Sequence, residues 1–321
     1  MVTNMYPTPA MPTFGTFVHD QVQALRAAGV EVEVLLVNGR ASTWNYVLGF
    51  GRLWWRLLTR RYDLIHAHYV LAGVIARAQW RHPVVLTHHG CEVLGHPRWQ
   101  TLLARLVTPL FHAVIYTSEQ MRAALGDRDG WVIPCGIDLD TFAPVPRAAA
   151  RAQLGLAENR PLVLWAGEPW RPEKRFELVE QAMEQVRRAV PEAELVVVAN
   201  KPHGLVPLYM NACDVLVLTS AAEGSPMVVK EAMACNLPVV SVDVGDVAEV
   251  IGSTPGCWVV ERTPAALADK LVASLQAARR TTGRERIHSV SHQVVTARVR
   301  ALYEHVLASA DGARELVARV P

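Results

Sequence analysis

The stretch DVLVLTSAAEGSPMVVKEAMACNLPVVSVDV, residues 214–244, decides the fold. The β-branched runs at its two ends are apolar almost throughout, which is typical of parallel strands that helices cover on both faces. Between them, Ser225 is a favoured helix N-cap and Pro226 a favoured first helical residue, so the spacing predicts a helix over 226–235. Asn236 can take the left-handed conformation that ends a helix. We therefore predict a β-α-β unit.

The same alternation of apolar runs and helical segments extends over the whole chain. In the second half the predicted strands are 161–167, 193–199, 214–220, 238–244 and 257–262, with helices around 173–189, 226–235 and 265–279. In the first half the predicted strands are 30–37, 63–69, 83–89, 113–118 and 130–136, and a helix over 17–29 ends at Gly29.

The prolines of TFAPVPRAAA, residues 141–150, indicate a linker between two such halves. We therefore predict an α/β protein of two doubly wound, Rossmann-like lobes, 1–143 and 144–321. The last helix, roughly 289–309, is amphipathic and could pack on either lobe. The chain opens with MVTNMYP, so the first strand is nearly missing, and we expect either a start placed too late or a shortened chain.

Composition narrows the class of partner and the compartment. A chain of 321 residues that is 51% hydrophobic can build two cores, and a net charge of +2 does not indicate nucleic acid binding. No signal peptide and no apolar stretch of spanning length is visible. Five scattered cysteines favour a reducing cytoplasm; they are Cys91, Cys135, Cys213, Cys235 and Cys257.

The loop before the predicted helix is a candidate anion site. Open α/β sheets bind ligands at the carboxyl ends of their strands. A helix that begins after Ser225 directs free backbone N–H groups and the positive end of its dipole toward such a ligand. Two carboxylates flank this end, Glu223 in the loop and Glu231 inside the helix. A bare E-x7-E spacing would also suit a helix cap with two solvated glutamates.

The whole stretch 219–240, with its EGSP loop, resembles the E-x7-E signature of retaining glycosyltransferases of family 4. The resemblance implies the GT-B fold, with the donor site in the cleft between two lobes. It also implies that Glu223 contacts hydroxyls of the transferred sugar and that Glu231 binds the ribose hydroxyls. The diphosphate would be held by the backbone of Gly224, Ser225, Pro226 and Met227.

A second motif, AGEPWRPEKRF over residues 166–176, is similar to the G-R-x-x-x-E-K loop of that family. The resemblance implies that Lys174 neutralises the leaving diphosphate. Glu168 stands where the family has its arginine, and the loop is one residue longer. Within the donor-binding set, Arg171 or Arg175 would therefore have to supply the second positive charge, or that charge is absent.

Two motifs in the first lobe extend the resemblance. MYPTPAMPTFGTFVHDQ, residues 5–21, is similar to the family's glycine loop, in which Gly15 would let the backbone approach the donor. THHGCEV, residues 87–93, resembles the H-G-x-D strand end, which implies that His89 lies near the donor sugar or phosphate. Glu92 takes the place of the family's acid. We expect the other histidines of these strands, His66, His68 and His88, to be structural.

The remaining motifs concern the linker, metals and the nucleobase. WVIPCGIDLDTF, residues 131–142, resembles the family's linker with Cys135 in place of its asparagine. Because DLD at 138–140 falls in this linker, we do not read it as a metal motif. No metal or cofactor is expected, since a helix dipole and basic side chains can carry the diphosphate charge. The loop after strand 193–199, from Asn200, is the candidate base-binding segment.

The segment YVLGFGRLWWRLLTRRY, residues 46–62, combines aromatic and aliphatic side chains with arginines. Such a helix could lie on an anionic membrane surface. It could equally be a core helix with arginine stems along its edge. If this segment contacts a membrane, the protein predicted to be cytoplasmic would also associate peripherally with the inner face of the membrane.

Taken together, the resemblance implies a retaining hexosyltransferase. It would transfer a sugar from a UDP- or GDP-sugar to a hydroxyl of a saccharide, lipid-linked or small-molecule acceptor. Two alternatives remain open at this point. One is a non-catalytic module that binds sugar nucleotides, which the departures at Glu168 and Cys135 favour. The other is a different GT-B enzyme, such as an epimerase, for which we see no acid/base set.

Overall fold

The computed structural model describes residues 1–11, 13–94 and 98–318. It divides into two compact units, which are described separately. The first unit is Met1–Gly136 together with the C-terminal segment from Gln293, and the second is Ile137–His292. The division therefore follows Gly136, whereas the predicted boundary is residue 143.

The first unit is a six-stranded parallel sheet with helices on both faces. Its strands are β1 (Val2–Thr3), β2 (Leu35–Leu36), β3 (Ile65–His68), β4 (Val84–His88), β5 (Ala113–Tyr116) and β6 (Trp131–Val132). Its first six helices are α1 (Thr16–Ala27), α2 (Trp44–Thr59), α3 (Val70–Arg77), α4 (Cys91–Leu94), α5 (Arg98–Val107) and α6 (Glu119–Leu125). The strand order is β2-β1-β3-β4-β5-β6.

The second unit repeats this plan with five parallel strands. Its strands are β7 (Leu162–Ala166), β8 (Glu194–Val198), β9 (Val215–Leu218), β10 (Val239–Val242) and β11 (Cys257–Val260). Its helices are α7 (Arg147–Leu154), α8 (Phe176–Ala189), α9 (Val206–Ala212), α10 (Met227–Ala234), α11 (Val247–Ile251), α12 (Pro264–Ala277) and α13 (Gly283–Ile287). The strand order is β11-β10-β9-β7-β8. The last helix, α14 (His292–Ala318), belongs to the first unit from Gln293 onward.

Two predicted strands are much shorter than their apolar runs. The run 30–37 forms only β2, because Val2 pairs with Leu35 and the residues before Leu35 lie ahead of the partner strand. The run 130–136 forms only β6 at the sheet edge. β1 is also only two residues long, as predicted, yet it pairs with strands on both sides.

Helix ends follow local chemistry in most places. Gly29 has φ 84° and Asn236 has φ 56°, which confirms both as left-handed residues after a helix. The predicted helix 173–189 begins only at Phe176, because a 3₁₀ turn over Pro172–Lys174 precedes it. The chain therefore makes a 3₁₀ turn that ends at Lys174, and α8 begins two residues later.

Each unit buries its own apolar core. In the second unit, buried side chains of β7, β9 and β10 pack against α8, α10 and α12. In the first unit, β3 and β4 pack against α2 and α3. The segment 46–62 contributes Leu53 and Leu57 to that core, while Trp55 and Leu58 are exposed. The interpretation of this segment as a core helix therefore applies to one face of α2 only.

No helix in the described ranges is long and apolar enough to cross a membrane. The described cysteines form no disulfide, and Cys213, Cys235 and Cys257 are buried. Burial raises the pKa of each of these three thiols. They are therefore small apolar core residues. The side chain of Cys91 lies outside the described residues.

Candidate active site

The topology of the second unit opens a crevice beside β7. β7 lies between β8 and β9, so the chain leaves its carboxyl end in one direction and that of β9 in the other. In sheets with this order, ligands bind where the winding reverses. The loops at this point, 167–175 and 219–226, carry Lys174 and Glu223. The structure thus brings the two predicted catalytic residues of this unit to one place.

Lys174 and Glu223 are in direct contact. The Nζ atom of Lys174 donates to Oε1 of Glu223 over 2.6 Å, and both side chains are about one-fifth exposed. The two loops are also tied by their backbones. Thr219 Oγ1 donates to the Lys174 carbonyl over 2.9 Å, and the Ala221 N–H donates to the Glu173 carbonyl over 2.7 Å. Both charged groups therefore stand on a fixed framework.

The two arginines of the loop after β7 are already paired. Arg171 Nε donates to Glu173 Oε1 over 2.7 Å, and Arg171 NH1 lies 3.6 Å from Glu168. Arg175 forms an ion pair with Glu177. Burial tends to lower the pKa of Arg171, but Glu173 and Glu168 outweigh that effect and raise it. Both arginines are therefore held in ion pairs with carboxylates close to them in sequence, and Glu168 is one of the carboxylates beside Arg171.

The start of α10 differs from the prediction. The helix is Met227–Ala234, its N-cap is Pro226, and no side chain caps it, so Ser225 is not the N-cap. Ser225 Oγ instead donates to Asp246 Oδ2 over 2.6 Å and accepts from Lys230 Nζ. Lys230 Nζ lies 3.1 Å from the same carboxylate. A buried ion pair offers the hydroxyl stronger partners than helix amides do.

This buried group fixes the loop that carries the predicted diphosphate contacts. Lys230 is fully buried and Asp246 nearly so. Gly245 has φ 61°, and a Cβ there would lie 2.8 Å from the Gly224 carbonyl oxygen. Sequence reasoning missed Lys230 and Asp246. The available signals were a lysine beside Glu231 in a helix whose other residues are apolar, and an acid after the carboxyl end of a strand.

Glu231 is also buried within α10, with 8% of its surface exposed. It lies four positions after Met227, the first residue of the helix, and therefore one turn further along. The prediction that it binds ribose hydroxyls stays a prediction.

In the first unit, the glycine loop packs against the chain's own backbone. Gly15 is the N-cap of α1 with φ 75°, and a Cβ there would lie 2.5 Å from the Met5 carbonyl carbon and 2.6 Å from the Tyr6 nitrogen. Glycine is therefore required here by an internal contact. An approach of the donor to Gly15 stays a prediction, and Pro12 of the same loop lies outside the described residues.

His89 follows β4 and belongs to a buried cluster of rings. Its Nε2 lies 2.8 Å from His68 Nδ1, and its Nδ1 lies 3.8 Å from the Cys135 sulfur. The rings of Phe17 and Tyr69 each lie 4.9 Å from it, which places it beside the start of α1. Burial lowers the pKa of His89 well below its usual value, and His68 adds to this. The imidazole is therefore neutral, with both nitrogens engaged.

The remaining predicted groups near His89 are internal. Glu92 Oε1 accepts from the His89 backbone N–H over 2.8 Å and lies 3.7 Å from His88 Nδ1. Burial alone would raise the pKa of Glu92, but His88 and the backbone N–H of His89 lower it. His66, His68 and His88 are all buried, in keeping with a structural role.

Two family models match separate parts of the chain. The one described as Glycosyltransferase Family 4 matches residues 14–141, and the one described as Glycosyl transferases group 1 matches residues 203–277. The first match includes Gly15 and His89, and the second includes Glu223 and Glu231.

The chain thus resembles the glycosyltransferases of family 4 in both of its units.

Among the relatives of this chain is the putative teichuronic acid biosynthesis glycosyltransferase TuaC of Bacillus subtilis. The alignment with TuaC is 338 positions long and 26% identical, and it covers 84% of this chain and 87% of TuaC. D-inositol 3-phosphate glycosyltransferases also match, and this chain spans only 54% of the length of the one from Nocardia farcinica.

Solved structures show the same GT-B fold. The sucrose-phosphate synthase of Thermosynechococcus elongatus superposes with a TM-score of 0.79 at 23% identity, covering 92% of this chain and 94% of that one. Anabaena Alr3699/HepE in complex with UDP and glucose gives 0.71 at 18% identity, with 95% and 98% covered. At these identities the likeness concerns the fold.

Two further predicted segments lie in the linker and after β8. Asp138 accepts from the Asp140 N–H over 2.9 Å and from the Thr141 hydroxyl over 2.6 Å, so it organises a turn in the linker. Asn200 follows β8 with φ 51° and is exposed. Within the described ranges its side chain has no hydrogen bond to another predicted site residue, so its role in base binding stays a prediction.

Proposed function

We propose that this protein is a retaining hexosyltransferase that uses a UDP- or GDP-sugar and needs no metal ion. The observation that carries the proposal is the contact of 2.6 Å between Lys174 and Glu223 at the point where the sheet winding reverses. A cation and an anion stand there beside the N-terminus of α10. These are the charges that a sugar diphosphate would engage.

The two charges suit the two halves of such a donor. When the anomeric C–O bond breaks, negative charge grows on the diphosphate and positive charge on the sugar. Lys174 and the amides of residues 224–227 would stabilise the diphosphate, and their fixed positions keep the reorganisation cost low. With Lys174 engaged there, Glu223 can accept hydrogen bonds from sugar hydroxyls.

The reaction balances without a side-chain base. The bond between the anomeric carbon and the phosphate oxygen breaks, and a bond from that carbon to the acceptor oxygen forms. The acceptor's proton passes to the departing phosphate oxygen. If acceptor and leaving group occupy the same face of the sugar, configuration is retained. The ring of His89, which is neutral and held by His68, would not act as the base in this scheme. Its place near the donor stays a prediction.

The choice of donor and acceptor rests on relatives. The structural neighbour Alr3699/HepE holds UDP and glucose, which supports a uridine-linked hexose as the first donor to test. TuaC is named for teichuronic acid biosynthesis, which supports a saccharide or lipid-linked acceptor in polysaccharide or glycolipid synthesis.

One observation favours a second candidate, a non-catalytic sugar-nucleotide-binding module. Arg171 is paired with Glu173 and Glu168, and Arg175 with Glu177. Lys174 would then face the leaving diphosphate with no second side-chain cation from its loop. Such a protein would bind the donor without releasing nucleotide.

Donor hydrolysis and binding distinguish the two candidates. The purified chain is screened with UDP-, GDP-, ADP- and TDP-sugars, alongside Glu223→Gln and Lys174→Met. Glu192→Gln and Lys270→Met, which change exposed side chains of the same unit, serve as matched controls. We expect nucleotide release from one donor by the wild type and by both controls. Loss in the two site variants alone would support a transferase.

Other outcomes decide against parts of the proposal. Tight binding with no release, even with acceptor mixtures, would favour the binding module. Equal release by Glu223→Gln and wild type would remove the site assignment. Retention is checked by NMR of the product anomer, and loss of activity on addition of a chelator would contradict a metal-free mechanism.

A further inference from the structure

The outward face of α2 is apolar. Its exposed large side chains recur at intervals of three, one, seven and three residues, which places them along one stripe of a helix. They are Trp44, Val47, Leu48, Trp55 and Leu58. The opposite face of α2 is buried in the core through Gly49, Leu53 and Leu57. The helix therefore shows large apolar side chains to solvent and to the core alike, which is unusual for a surface helix.

A second stripe of the same kind lies on α5 and the turn after it. Trp99, Leu102 and Leu106 are exposed on α5, and Leu110 is exposed at the end of the following turn. Their spacing again follows one helix face. Trp80, in the loop after α3, is 79% exposed.

These side chains belong to one side of the first unit. α3 packs against both α2 and α5. The ring of Trp80 lies 5.7 Å from that of Trp54 in α2, and Arg77 at the end of α3 donates to the Leu110 carbonyl over 2.6 Å. We call this surface the tryptophan face; it comprises Trp44, Val47, Leu48, Trp55, Leu58, Trp80, Trp99, Leu102, Leu106 and Leu110.

The charge of the surrounding sequence is strongly one-sided. Residues 34–118 contain nine arginines and two acidic residues, a formal charge of +7 in a chain whose total is +2. One of the two acids, Glu92, is buried. Arg52, Arg61 and Arg98 are exposed and have no ion pair within the described ranges. The segment that carries the tryptophan face is thus net positive, and of its arginines Arg56 and Arg60 pair with Glu33, which precedes the segment.

We propose that the tryptophan face rests on the surface of a bilayer that contains anionic lipids. Indole rings partition to the boundary between headgroups and acyl chains, and arginines beside them are attracted to lipid phosphates. A helix that exposes such a stripe lies in the plane of the interface. An apolar patch of this extent on a monomer marks an interaction site, and its arginine border selects a negatively charged partner.

Vesicle sedimentation of the full chain tests the proposal. The two probes are vesicles of phosphatidylglycerol and vesicles of phosphatidylcholine. We expect the wild type to sediment with the anionic vesicles, to do so less at high salt, and to stay largely unbound with the neutral ones. Its tryptophan fluorescence should shift to shorter wavelength only on binding.

Variants separate the apolar contribution from the charge contribution. Trp55→Ser with Leu58→Ser should abolish sedimentation, while Trp131→Ser, an exposed tryptophan on the edge strand β6, should not. Arg52→Gln with Arg61→Gln should weaken vesicle affinity about thirtyfold. Arg187→Gln with Arg188→Gln on α8 makes the same change in net charge and should have little effect. All these side chains are outside the core, and circular dichroism checks that each variant is folded.

Three results would overturn the proposal. Equal binding of wild type and the Trp55 and Leu58 variant to anionic vesicles would exclude the tryptophan face. Equal binding of the wild type to neutral and anionic vesicles would exclude selection by charge. No vesicle binding, with a dimer in solution that the same variant converts to a monomer, would assign the face to a second copy of the chain.

Discussion

At the scale of single residues, the loop of the candidate site depends on a buried charge pair that is absent from the motif. Lys230 lies between the two glutamates of the E-x7-E spacing, yet its side chain turns inward to Asp246 and Ser225. The pair holds the loop before α10 against the loop after β10. The residues predicted to contact substrate and those that hold them in place are therefore interleaved in one short segment.

Removing one member of this pair should be costly. Lys230→Met leaves the Asp246 carboxylate buried without its cation, and we expect a loss of about 3–5 kcal/mol in the free energy of unfolding. Lys270→Met, on a side chain 39% exposed, should change it little. Urea denaturation measures both. A second substitution, Asp246→Asn, should recover part of the loss, and a variant as stable as the control would contradict the pair's importance.

The glycine at residue 245 permits a matched comparison. Gly245 and Gly155 have nearly the same backbone, with φ 61° and 66°. A Cβ at Gly245 would lie 2.8 Å from the Gly224 carbonyl oxygen, whereas at Gly155 it meets nothing within 4 Å. Gly155→Ala should therefore cost only the backbone strain, about 1–2 kcal/mol, and Gly245→Ala clearly more. If thermal denaturation gives equal losses, the close approach is unimportant.

At the scale of elements, the carboxyl ends of β3 and β4 place three histidines in one buried cluster. His66, His68 and His89 stack in sequence, with ring centroids 4.4 Å and 5.1 Å apart. His66 Nδ1 lies 2.6 Å from the Tyr303 hydroxyl and its Nε2 lies 2.6 Å from Thr87 Oγ1. The cluster has no carboxylate among these contacts that would favour a charged ring.

This cluster should make stability depend on pH. Burial lowers the pKa of His66 from 6.5 to about 3, so between these values the unfolded chain binds a proton that the folded chain does not. Stability should therefore fall as pH drops below 6.5, by about 1.4 kcal/mol per pH unit for one such histidine. Calorimetry at pH 7.5, 6.5 and 5.5 measures the slope.

Two variants identify the source of that slope. His66→Asn should reduce the dependence of the melting temperature on pH by the contribution of one histidine, because the rings of His68 and His89 remain. His305→Asn, on an exposed histidine of α14, should leave the dependence as in the wild type. A slope unchanged by His66→Asn would show that other groups control the acid sensitivity.

At the scale of the whole molecule, the two units share one winding order but differ in charge and in the residues at their strand ends. The second unit places Lys174 and Glu223 where its winding reverses, and the first places His89 and the glycine loop at its own strand ends. A ligand that binds the folded chain alone stabilises it by mass action. The melting temperature therefore reports binding without any assumption about catalysis.

The diphosphate contribution should be visible in this way. At a concentration one hundred times its dissociation constant, UDP should raise the melting temperature by about 5–10 °C. Uridine at the same concentration should raise it by less, because uridine lacks the diphosphate charge that Lys174 is proposed to meet. Lys174→Met should reduce the difference between the two ligands, and Lys270→Met should preserve it. Equal shifts by UDP and uridine in the wild type would contradict diphosphate recognition by Lys174.

Much of this protein could be predicted from local sequence. The β-α alternation, the parallel strands, and Gly29 and Asn236 at helix ends follow from apolar periodicity and cap residues, which act over a few residues. Glu223 was found beside the predicted helix start at a strand end and by the family resemblance, whereas Lys174 was found by the resemblance alone.

Only the tertiary structure decided how side chains were shared between elements. Ser225 donates to Asp246 and does not cap α10, Arg171 and Arg175 form ion pairs with carboxylates, and α2 buries one apolar face and exposes the other. These outcomes depend on which groups from distant segments compete for the same partner. Sequence spacing describes one helix or loop at a time, whereas burial and ion pairing are settled by neighbours that only folding brings together.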